Sequence, residues 1–98
     1  MKKIKVLVKY CGRKPIEKKI ASDSRVLKNF IAVKISSDMY LLFRNYARAL
    51  GHSFNANILG IDFYGMVIFA GCKGDKLTDA PISIDKLKIL FPDLFLEE

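Results

Sequence analysis

The run "MVIFAGC" (66–72) constrains this chain more than any other stretch. It is the most apolar segment, rich in β-branched and aromatic residues. Glycines at 65 and 71 bound it too tightly for a helix. A run of this kind belongs in a sheet, at its centre, with neighbours on each side. The amino terminus supplies one such neighbour. From Lys3 to Tyr10 the residues alternate, with Ile4, Val6, Val8 and Tyr10 on one face and Lys3, Lys5, Leu7 and Lys9 on the other. "CGRKP" then carries turn chemistry and "IEKKIA" reads as a returning strand, so the first twenty residues are expected to form an antiparallel hairpin.

A short helix is expected next. Ser22 or Ser24 caps it, Asp23 sits at its positive end, and Val26, Leu27, Phe30 and Ile31 make its apolar stripe. "AVKISS" reads as a strand with Val33 and Ile35 on its inner face. The segment "DMYLLFRNYARALG" admits two readings. As a helix it starts at Asp38, buries Met39, Phe43, Tyr46 and Leu50, and ends at Gly51; as a strand, Met39–Arg44 folds back on residues 32–36. Local pattern favours the helix. Further on, "ILGID" suggests a brief strand, "FYG" a turn and "KGDKLTDAP" a turn-rich connection. The glycines at 60, 65, 71 and 74 are read as turn residues. A last helix is capped by Ser83, buries Ile84, Leu87, Leu90 and Phe91, and stops at Pro92. The expected fold is a single α+β domain over 1–98. It has an N-terminal β-hairpin, a short helix, a mixed or antiparallel sheet of about 4–6 strands, and a C-terminal helix.

With 98 residues the chain has room for one core. Burial at this size leaves a surplus on the order of 5 kcal/mol, so a partner, or a second copy in a homo-oligomer, would matter to stability. No stretch reaches the ~18 apolar residues of a membrane span, and lysines at 5 and 9 interrupt any signal-peptide core. A cytoplasmic protein without membrane association is therefore expected. Cys11 and Cys72, sixty-one positions apart with no Cys or His close by, are read as reduced thiols packed as small apolar groups.

The residues that could do chemistry are sparse. His52 is the lone histidine, and Ser53 beside it lacks the G-x-S-x-G setting of an activated nucleophile. The carboxylates form neither D-x-D nor H-x-x-E, and the glycines fit no phosphate-binding loop. No catalytic residue, metal site or cofactor is assigned, and the chain is read as a non-enzyme.

Two groups remain as binding candidates. Eight of the chain's 17 Lys and Arg residues lie in the first nineteen positions against one acid, Glu17, so the whole +7 excess is a patch. Within it, Lys3, Lys5, Lys9, Arg13, Lys14, Lys18 and Lys19 are candidates for contact with nucleic acid or an acidic partner. Against that, lysines also keep an edge strand from pairing, and no aromatic interleaves with them to stack bases. The second group is Arg44, Asn45, Arg48, His52, Asn55 and Asn57, suited to a small anion such as a nucleotide or to a partner's backbone. Asparagines here also serve as turn builders.

Nearly the whole chain resembles a small domain family of unknown function, widespread in phages and mobile elements of bacteria. The resemblance rests on "IKVLVKY", "VLKNFIA", Asn45, Gly51, Asn55, "YGMVIFAG" and "KLTDAPISIDKLK". Tyr46 and Ala47 stand where the family tends to be acidic, and Ala56 where it tends to have Arg, so any site shared by relatives is altered here. The resemblance implies the strand reading of Met39–Arg44, which we adopt, and brings no activity. It implies a small phage or mobile-element accessory protein, in the cytoplasm of a bacterial host, that binds a host or phage protein in host defence or regulation. The other expectation is a nucleic-acid-binding accessory factor using the basic hairpin.

Overall fold

The computed structural model describes residues 3–21, 29–44, 49–74 and 76–96. The expected helix over 22–31 falls largely outside them, as do Asn45 and Arg48. Strands β1 (Lys3–Lys9) and β2 (Ile16–Ala21) form the expected hairpin, with Lys5 opposite Lys19 and Val8 opposite Ile16. Strands β3 (Ile31–Ser36) and β4 (Met39–Phe43) form a second hairpin. The strand reading of the middle segment holds: Met39, Leu41 and Leu42 are buried there in period-two company with their sheet neighbours. Ile31 opens β3 and is no part of a helix.

Strand β7 (Val67–Lys73) runs between these two hairpins, antiparallel to β1 on one side and β4 on the other, giving the order β2-β1-β7-β4-β3. Val67, Ile68, Phe69, Ala70 and Gly71 are all buried, because both faces of the sheet are covered at its centre. One face packs Leu7, Leu41, Val67 and Phe69 against the second, two-stranded sheet and the C-terminal elements. The other gathers Ile4, Val6, Val8, Leu42, Ile68 and Ala70, with Tyr10, Phe30 and Tyr40 against them.

Two elements were not expected. Strand β8 (Lys76–Thr78), inside the stretch read as turn-rich, pairs back on β7. Gly71 makes this possible as a strand residue, not a turn residue: a Cβ there would collide with the Asp79 carbonyl and Thr78 Oγ1. Asp79 and Ala80 then take over pairing with β1, where Lys5 N–H donates to Asp79 Oδ1 at 2.8 Å and Ala80 N–H to Lys5 O at 2.7 Å. The second new element is a hairpin of β5 (Phe54–Ile58) and β6 (Ile61–Tyr64), where one brief strand and a turn were expected. It lies over the first face through Ala56, Ile58 and Phe63. The described chain thus has eight strands, more than the four to six expected.

Helix α1 (Ile84–Leu90) starts as the sequence indicates, with Ser83 Oγ accepting from Lys86 N–H at 3.2 Å. Leu87 is buried, but Leu90 is 48% exposed; the core contact passes instead to Leu94, in the 3-10 turn Pro92–Phe95. No helix among the described residues is long and apolar enough to cross a membrane. Cys11 and Cys72 are separate, half-buried thiols. They sit at opposite ends of the sheet, because Lys9 pairs with Val67. The strand from 67 to 72 spans about 17 Å, beyond the ~7 Å reach of a disulfide.

Candidate binding site

The end of the sheet where β1 finishes holds the most polar part of the interior. Register slips between Phe54 and Ala56 in the β5–β6 pairing, so Asn55 is an extra residue, and the bulge turns its side chain inward. Asn55 Nδ2 donates to Lys9 O at 2.8 Å and Gly65 O at 2.6 Å. Its Oδ1 accepts from Lys9 Nζ at 3.0 Å, and Lys9 Nζ also donates to Tyr10 O at 2.8 Å. Gly65 N–H donates to Ser53 O at 3.0 Å, and Cys11 Sγ lies 3.5 Å from the same oxygen. Two segments far apart in sequence are tied here by one amide. Lys9 is only 6% exposed and Asn55 7%. A buried ammonium is costly unless its hydrogen bonds are met, which makes this pair a tie between the sheets. A cleft of about 310 Å3 opens beside it, between Phe54, Asn57, Asp93 and Leu96.

This geometry corrects the basic-hairpin reading in one respect. Lys9 shares the odd-numbered face with Lys3 and Lys5, but the β5–β6 hairpin covers that face at the Lys9 end, so Lys9 offers no surface charge. The other lysines divide between faces. Lys19 stands opposite Lys5, and both lie on the face of Lys3. Lys18 stands opposite Val6 on the other face, where its Nζ donates to Tyr10 Oη at 2.8 Å. Glu17 approaches Lys5 at 3.8 Å. Arg13 and Lys14 are exposed in the intervening turn.

The second expected group does not come together as one constellation. Asn55 is buried in the tie, Asn57 Nδ2 donates across the hairpin to Asp62 Oδ1 at 2.8 Å, His52 is exposed ahead of β5, and Arg44 is half-buried after β4. Asn45 and Arg48 lie outside the described residues. Among the described residues no three His, Cys, Asp or Glu side chains are placed to hold a metal ion.

The feature that sequence reading missed is the tip of the β5–β6 hairpin. Leu59 has φ 54° and Gly60 φ 82°, the two successive left-handed residues of a tight two-residue turn. Such turns take Asn-Gly or Asp-Gly; among the described residues Leu59 is the sole non-glycine with positive φ. It is also 64% exposed, with Ile61 beside it at 56%. The left-handed conformation costs about 1–2 kcal/mol for a residue with a Cβ. Ile58 and Ile61 flanking a Leu-Gly pair was the available signal, masked because leucine is not turn chemistry.

The fold and site therefore define a sheet-rich α+β domain with a buried Lys–Asn tie and an apolar hairpin tip. The chain matches no family model, and no curated protein or solved structure matches it.

Proposed function

We propose that this chain is a small non-catalytic accessory protein, of the kind phages and mobile elements of bacteria carry, that acts by binding a protein partner through the tip of the β5–β6 hairpin. The carrying observation is Leu59: exposed, apolar, and held in a backbone conformation that asparagine or glycine would adopt at lower cost. Strain combined with solvent exposure is what selection for a contact would retain, since folding gains from neither. The hairpin residues Phe54–Tyr64 include no Lys or Arg, and Asp62 is their one charge. A tip of that character suits an apolar pocket in a protein better than a polyanion. The resemblance to the phage domain family supports the accessory role.

A photoreactive amino acid at position 59 tests this reading in bacterial host extract. A single recurrent adduct is expected, and it should be competed by added wild-type protein but not by folded Leu59→Asn. Equal competition by both proteins would dismiss the hairpin as the contact.

One observation favours a second reading, nucleic-acid binding. Lys5 directly faces Lys19, a like-charged cross-strand pair that weakens the hairpin, and Lys3 shares their face. On this reading the logarithm of affinity for single- or double-stranded nucleic acid falls with that of salt at a slope of about −2 to −3. Lys5→Glu with Lys19→Glu should then abolish binding. Affinity unmoved by that double change removes the reading. Lys9 is no use in such a test, because its replacement breaks the tie to Asn55.

A further inference from the structure

We propose that β3 is a self-pairing edge, joining two copies of this chain into one continuous antiparallel sheet. The observation is the contrast between the two ends of the strand order. The β2 end is guarded by Glu17, Lys18 and Lys19, all exposed, as edge strands usually are. The β3 end carries exposed Ile31 and Val33, 38% and 39% accessible, and one charge, Lys34. Among the described residues no strand pairs with its outer side.

The register follows by elimination. Antiparallel self-pairing about a twofold axis places residue i opposite a residue fixed by the position of the axis. An axis between two residues would set the Ile31–Val33 face against the Ala32–Lys34 face. An axis at Lys34 would put two ammonium groups directly opposite each other. An axis at Val33 would draw Ile35 into the pairing, where the β3–β4 register is already irregular between Lys34 and Ser36. An axis at Ala32 meets none of these objections. It sets Ile31 opposite Val33 of the second copy, and Val33 opposite Ile31, beside Phe43 and Leu41. Lys34 then falls opposite Phe30. The +7 excess does not oppose this contact, because the lysines of β1 and β2 lie three and four strand spacings away. That is about 14 to 19 Å, beyond the ~8 Å screening length at physiological salt. A short edge buries less than the ~1,000 Å2 of a standing interface, so the dimer is weak and concentration-dependent.

Sedimentation velocity across a wide concentration range tests this. The wild-type chain should rise from its 11.1 kDa mass toward twice that value. Ala32 is exposed, so charges are introduced there without loss of core. Ala32→Lys and Ala32→Glu should each stay monomeric alone, and an equimolar mixture should dimerise again. Leu59→Asn should dimerise as the wild type does, whatever becomes of the hairpin reading. A wild type that stays monomeric at the highest concentration would overturn the proposal, as would an Ala32→Lys protein that associates normally. Tighter association of Ala32→Glu would place Lys34 opposite position 32 and overturn the register. Loss of the dimer in Leu59→Asn would move the contact to the hairpin.

Discussion

Replacing Asn55 by alanine would remove one acceptor from a buried ammonium and the donor from two buried carbonyls, those of Lys9 and Gly65. Leaving a buried charge short of partners is more damaging than deleting the pair together. Asn55→Ala is expected to lower unfolding free energy by roughly 2–4 kcal/mol in urea titration, and Lys9→Met added to it should cost little more. Strictly additive losses would show that the two side chains do not act as a unit. The Lys9 position shows where residue-level reading stopped. Period two states which face a side chain occupies, whereas burial of that face depends on a hairpin whose Asn55 lies 46 residues away. Gly71 was misread for a related reason, since its role is to let Thr78 and Asp79 approach β7. Gly71→Ala is expected to destabilise by about 1–3 kcal/mol, read from the same titration; a neutral result would mean β8 moves away freely.

Among the elements, the β5–β6 hairpin makes the least stable use of its turn. Leu59→Asn should raise unfolding free energy by about 1 kcal/mol with an unchanged denaturant slope, so the midpoint alone moves. A fall in stability would show that the tip gains more from leucine than its backbone loses. Elements with strong local signals were legible in sequence: the β1–β2 hairpin, β3, β7, and α1 with its Ser83 cap. Strand β4 was not legible from local pattern, because Met39, Phe43, Tyr46 and Leu50 fit a helical stripe as well as a strand. The β5–β6 pair hid behind asparagines that look like loop residues and a turn without turn chemistry. The stripe of α1 was wrong at Leu90, which faces solvent, while Phe91 packs on the core and Leu94 completes it.

At the scale of the whole molecule, the basic excess is concentrated on the β1–β2 hairpin and its turn, where Lys5 confronts Lys19. Screening that repulsion should raise the melting temperature between about 0.05 and 0.5 M salt, while Lys19→Gln should flatten the response. A melting temperature indifferent to salt would mean Glu17 already neutralises the pair. The binding surface was the least legible level, since it depends on which edges and tips the assembled sheet leaves uncovered. Strand order was equally hidden, and it governs how the protein is made. Strand β7 separates β1 from β4 but is encoded after both. On the ribosome, the two earlier hairpins must therefore wait as unjoined pieces until more than two thirds of the chain has emerged. Codons that slow translation before β7 is complete would prolong that exposure, and with it the interval in which a chaperone is needed.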